Sequence, residues 1–301
     1  MHYLKNLYIL FIVLSLNIFF FFLTIVLAKS FEINDIVISK PFENNFNKNI
    51  VIDTGFKKAF SKLIQTMVSS SDYKKVKNIK LNEIKAMVDS FSIKEEKFID
   101  QNYYVNLGVS FNKKKIFKYL ERKNIFPSQM IKKKFLFIPI IIDENDNDLK
   151  IFSDNLVYEK WNTINQEYHL INYLLPMEDL EDLSIIKKNY DLIENYDFKE
   201  IIKKYYLENC IIALFFKNGQ EVRILSKIIT KNKVVIKNDS FPEFDLQNQD
   251  KISSLISKLK NTYEDSWKDY NQINTSIKLP ITLRVDNQNF TKLIKFENTL
   301  S

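Results

Sequence analysis

The scope for nucleophilic chemistry in this chain is set by two histidines and one cysteine. His2 precedes a long apolar run, so a Ser-His-Asp or Cys-His site would depend on His169 alone. His169 stands in Tyr168-His169-Leu170-Ile171, which reads as strand, and its expected role is structural. Cys210 opens an apolar run and reads as a small buried hydrophobe. No neighbouring base or cation in sequence lowers its pKa. A His/Cys zinc site fails on ligand count.

Oxygen ligands are better supplied. Asp143, Asn145 and Asn147 have the one-three-five spacing of a calcium loop, with Asp154 at the twelfth position. Asp148 stands where the sharp turn needs glycine, and the loop follows a strand, so a solvated turn is the expectation. Glu178, Asp179, Glu181 and Asp182 could serve acid-base chemistry. Their place at the start of a helical stretch, where carboxylates favour the positive dipole end, explains them without it. No catalytic, cofactor-binding or metal-binding residue is assigned from sequence, and the chain is not expected to be an enzyme.

Composition excludes more. Only Gly55, Gly108 and Gly219 occur, too few for a glycine-rich phosphate loop. A single cysteine forbids an intrachain disulfide, so the fold must rest on its core. The net charge of +7 does not imply nucleic acid, because the lysines are interleaved with 37 acidic residues. The arginines, better readers of bases, are only Arg122, Arg223 and Arg284. Lys113-Lys114-Lys115 and Lys132-Lys133-Lys134 are local basic clusters that could touch anionic headgroups, although such runs are ordinarily solvated faces.

Residues 7–28 place whatever chemistry remains. They carry no charge, and Ser15, Asn17 and Thr24 are their only polar interruptions. As a helix they would extend about 33 Å, enough for a hydrocarbon core about 30 Å thick. Lys5 and the amino terminus form a positive flank that stays cytoplasmic. Val26-Leu27-Ala28 resembles a signal-peptidase site, while the run exceeds an ordinary signal core. The segment is therefore either cleaved near Ala28, freeing a soluble periplasmic protein, or kept as an inner-membrane anchor.

The remaining chain alternates helical and strand patterns. A first strand at 31–40 ends at Pro41, and Asp53 or Thr54 is expected to cap a helix burying Phe56, Ala59, Phe60, Leu63, Ile64, Met67 and Val68. A short helix with Leu81, Ile84, Met87 and Val88 follows. Tyr103, Val105, Leu107, Val109 and Phe111 alternate as a strand paired with the run through Phe91, Ile93, Phe98 and Ile99. Asn112 caps a helix through Ile116 and Leu120. Residues 135–142 read as a central strand, weakened by Pro139. A helix is expected from Asp154, one helical stretch over 178–206, and strands over 210–216, 222–230 and 233–237 with a turn at Asn218-Gly219. A long helix then buries Ile252, Leu255, Ile256, Leu259, Tyr263 and Trp267. A last strand at 281–285 and a helix through Leu293 and Ile294 close the chain.

The helix over 51–68, the strand 104–111 followed by the helix 116–120, and Lys132-Lys133-Lys134 leading into Phe135-Leu136-Phe137-Ile138 carry a resemblance. The order resembles an exported bacterial family catalogued as domain of unknown function 2066, in which a proline-containing turn precedes a basic residue and an apolar strand. Here the turn is Phe126-Pro127-Ser128, lysine stands where arginine is usual, and Ser69-Ser70-Ser71 replaces a helix-closing glycine. The resemblance implies an exported protein of small α/β modules and brings no catalytic residue with it.

The expected fold is α+β: a hydrophobic N-terminal helix at 1–28, two small modules with mainly antiparallel sheets at 29–130 and 131–272, and the start of a third at 273–301. The expected function is a non-enzymatic envelope protein that binds another envelope protein, touches the inner membrane through 7–28 if uncleaved, and binds no nucleic acid. The alternatives are a periplasmic ligand-binding protein and a hydrolase. Converging polar groups in a pocket would favour either alternative, and a continuous exposed apolar patch the adaptor.

Overall fold

The computed structural model describes residues 30–152 and 154–274. The leader at 7–28 and the strand and helix expected at 281–285 and 293–294 lie outside the described residues. The α+β class is observed, with eight α-helices and two mostly antiparallel sheets among the described residues.

The first sheet has three antiparallel strands, β1 (Ser30–Pro41), β2 (Val88–Ile99) and β3 (Asn102–Asn112), in the order β1-β3-β2. Asp100 and Gln101 close the β2-β3 hairpin with φ of 48° and 59°, the left-handed pair that matches strand twist in a two-residue turn. Helix α1 (Lys48–Met67) lies on the inner face, its apolar stripe against Ile36, Leu107 and Phe111. Gly55 sets that approach, since a Cβ there would stand 2.3 Å from Leu107 Cδ1. Helices α2 (Ser70–Val76), α3 (Leu81–Met87) and α4 (Lys113–Glu121) complete this half, and Asn112 caps α4 as expected.

The second sheet is built around β4 (Lys133–Asp143) and β7 (Cys210–Asn218), paired in parallel. An antiparallel meander continues through β8 (Glu221–Thr230) and β9 (Lys233–Phe241). On its other edge β4 pairs with two short strands, β6 (Ile171–Leu174) along residues 133–136 and β5 (Asp148–Lys150) along residues 141–143. Pro139 falls between them. Leu136 and Glu144 donate toward the β7 side, to Asn209 and Lys217 carbonyls, so odd-numbered residues of β4 present their backbone to the opposite edge. The missing N–H of Pro139 therefore faces a stretch with no strand to bond, which is how a central strand tolerates proline.

Alternation along β4 divides two cores. Phe135, Phe137 and Ile141 pack with Trp161 under α8 (Gln249–Tyr270). Leu136, Ile138, Ile140 and Cys210 pack on the other face under α6 (Leu180–Lys188) and α7 (Lys199–Lys204), through Ile186, Phe198 and Ile201.

Several local expectations are corrected. α1 begins at Lys48, capped by Asn47 rather than Asp53 or Thr54. Asp53 instead pairs with Lys85 at 2.7 Å, and the Thr54 hydroxyl donates to the Ile50 carbonyl. The serine run does more than end α1, because Ser69 caps α2. The stretch 178–206 is not one helix: α6 stops at Asn189, a single 3-10 turn follows at Tyr190–Leu192, and α7 restarts after Asp197 accepts from the Lys199 N–H. The Asn189 side chain donates to the Ile185 carbonyl and Asp197 accepts from the Lys199 N–H, local bonds of the kind that compete with a continuous helix. The helix expected near Asp154 is α5 (Leu156–Lys160), capped by Asn155. The β7-β8 turn centres on Gly219-Gln220, with Gly219 at φ 59°.

The last turns of α8 meet the end of α1. Asp265 accepts from the Ser70 N–H at 2.8 Å and its hydroxyl at 2.5 Å, and Lys268 Nζ donates to the Gln65 carbonyl at 2.7 Å. Ser128 N–H donates to Met67 O, and Ile273 N–H to Pro127 O. Among the described residues no helix is long and apolar enough to cross a membrane.

Candidate ligand-binding cleft

The residues singled out for chemistry are dispersed. Cys210 is buried within the α6-α7 core, and burial pushes its thiol up, away from thiolate. His169 adjoins Leu170 on the α8 side and feels the charges of Lys260 and Lys268 on that helix. The sheet stands between the two, so they form no Cys-His pair. Asp143 is buried and occupied: its Oδ1 accepts from the Asn145 and Asp146 N–H groups, and its Oδ2 from Lys217 at 2.6 Å. These bonds hold its carboxyl below the usual range. Asn147 is a left-handed turn residue, and Asp154 is an exposed residue at the turn before α5. Among the described residues no group of three His, Cys, Asp or Glu is arranged to hold a metal ion. Asp179, the cap of α6, shares Lys204 with Glu181 and Asp182, at 3.0, 3.6 and 2.5 Å respectively. Those carboxylates tie the start of α6 to the end of α7 through that lysine.

The structure gathers a different set of groups. A cleft of about 680 Å³ opens beside β6, walled by Lys132, Lys133 and Lys134 on one side. Asn162, Asn165, Gln166 and His169 come from the loop after α5, and Asn172 and Tyr173 from β6 itself. Parallel pairing sets Lys133 opposite Ile171 and Lys134 opposite Asn172.

The walls are held from below by a row of charges on α8. Lys260 is fully buried and donates to the Ile164 carbonyl at 2.6 Å and Asn165 Oδ1 at 2.8 Å. Its ammonium also lies 5.0 Å from the Tyr173 ring centre and 5.2 Å from that of Trp161. Burial lowers its pKa to about 8, with the Glu264 charge acting in the other direction. Glu264, also buried, accepts from the Leu170 and Ile171 N–H groups at 2.9 and 2.8 Å, fixing the start of β6 with both carboxylate oxygens. Burial raises its pKa, partly opposed by those two bonds.

Three buried polar atoms at this place have no hydrogen-bond partner, Tyr173 Oη, Trp161 Nε1 and His169 Nε2. Tyr173 lines the cleft at 6% exposure. His169 Nδ1 accepts a long bond from the Gln166 N–H at 3.4 Å, which leaves the proton of the neutral ring on Nε2. Burial first, then the charges of Lys260 and Lys268, lowers its pKa to about 4, so the ring is neutral at ordinary pH.

Chemically, this arrangement can hold a polar anion. Sequence reasoning named His169 and the 132–134 lysines separately and missed Lys260, Glu264, Lys268 and Tyr173. A signal existed on α8: Ile252, Ile256, Lys260, Glu264 and Lys268 form one i, i+4 row, so the charges continue an apolar stripe.

No family model matches the chain, and no curated protein matches it.

Proposed function

We propose that the chain is a non-enzymatic protein of the bacterial cell envelope, exported or anchored through residues 7–28, that holds another envelope component in the cleft beside β6. One observation carries the binding reading. Three lysines and four side-chain amides line one opening, while the cysteine and histidine stand on opposite sides of a sheet. The compartment rests on the apolar, charge-free leader and on the resemblance to the exported family.

The cleft's size favours a second reading, a periplasmic binding protein for a small ligand. Its volume falls within the range of about 300–1,000 Å³ typical of small-molecule sites.

A photo-crosslinking side chain at Gln166, activated in intact cells and followed by mass spectrometry, tests the binding reading. An envelope component attached at that position is the expected result. Recovery of the chain alone overturns it. A reporter fused after Lys29 that works only inside the cytosol would remove the compartment.

A further inference from the structure

We propose that the group recognised in this cleft is a phosphate ester, held by Lys132, Lys133 and Lys134 with the surrounding side-chain amides. The inference rests on the binding reading and narrows its ligand. No carboxylate lines the cleft, and the ion pairs of the described residues are made by other basic residues. The three lysines therefore face the opening as uncompensated charge. Their type decides between anions. A planar carboxylate is best matched by the arginine fork, and no arginine lines the site. Ammonium groups act as point charges that suit a tetrahedral, multiply charged oxyanion.

The neutral groups fit the same guest. Asn162, Asn165, Gln166 and Asn172 offer N–H donors to phosphate oxygens and both donors and acceptors to neighbouring hydroxyls. The walls are built before any guest arrives, because Lys260 fixes the 164–165 segment and Glu264 fixes the start of β6. A site prepared in this way spends little of its binding energy on ordering.

A phosphate ester could come from a lipid headgroup or from a soluble metabolite, and the two are separable. The full chain in neutral detergent is titrated calorimetrically with inorganic phosphate, then with short-chain phosphatidylglycerol and short-chain phosphatidylcholine. Saturable binding of inorganic phosphate supports a soluble ester. Saturable binding of phosphatidylglycerol well above phosphatidylcholine supports a headgroup.

In either arm, a variant with Lys132→Gln, Lys133→Gln and Lys134→Gln is expected to lose at least tenfold in affinity. Tyr173→Phe is expected to keep the affinity while unfolding at the same or a higher temperature, since it removes a buried, unpartnered hydroxyl. Absence of saturable binding in every arm, or equal binding by the lysine variant, overturns the proposal. If Gln166 crosslinks an envelope component that these phosphates do not compete away, the binding reading stands and the phosphate assignment falls.

Discussion

At the scale of single residues, this protein spends its unusual side chains on holding backbone. Lys260 and Glu264 are ionisable and fully buried, a combination tolerated only where partners replace water. Each is bonded to the backbone of the segment forming the cleft, so removing either leaves buried polar groups orphaned. His169 gives a measurable consequence. Its pKa is lowered from 6.5 to about 4 in the folded chain, so the unfolded chain binds the extra proton between those values. Its contribution to stability is present above pH 6.5 and lost as the pH falls to about 4. His169→Asn keeps an acceptor for the Gln166 N–H and cannot titrate. Urea unfolding of both proteins should show the wild type losing up to about 3 kcal/mol more than the variant between pH 6.5 and 4. Parallel curves would show that the ring titrates normally.

At the scale of elements, β4 and its cap show how one side chain replaces a missing strand. β4 has no partner along 137–140 on the β5-β6 side, and the buried Asn155 reaches into that gap. Its Nδ2 donates to the Pro139 carbonyl at 3.1 Å and the Lys150 carbonyl at 3.3 Å, while its Oδ1 accepts from the Val157 and Tyr158 N–H groups. Asn155→Ala should cost about 2–4 kcal/mol in denaturant unfolding. Asn155→Asp separates the two jobs. Aspartate caps helices as well as asparagine, but here it would turn an acceptor toward the Pro139 and Lys150 carbonyls. It should destabilise at least as much as alanine. An Asp variant as stable as wild type would mean that only the cap matters.

At the scale of the whole molecule, the two sheets communicate through the ends of α1 and α8. Asp265 sits at the first residue of α2, where a carboxylate meets both a free N–H and the hydroxyl of Ser70. Lys268 ties the same helix to Gln65, and Lys62 reaches Glu167 at 2.6 Å in the loop that walls the cleft. Because the Lys62 pair is largely exposed, it adds little stability. Asp265→Ala should cost about 1–2 kcal/mol and raise amide hydrogen exchange at 65–70 more than in the β7-β8 hairpin. Uniform exchange across the chain would show that this junction is not a separate opening unit.

What could be read in advance was whatever depends on neighbours along the chain. The period-two alternation of 103–111, the three-four spacing of α1 and α8, and the cap Asn112 belong to local sterics and one-sided burial, which leave their mark on each segment. The breaks were harder, as at Asn189, because a polar residue that ends a helix in one context rides its surface in another. The cleft needed the tertiary structure altogether. Lys260 and Glu264 lie more than 90 positions from the backbone they hold, and nothing near them in sequence signals that a carbonyl and two N–H groups await them. Segment chemistry determined the α+β alternation, and only the packing of α8 beneath the loop before β6 decided where polar groups converge, because burial and long-range hydrogen bonding exist only once the chain has closed on itself.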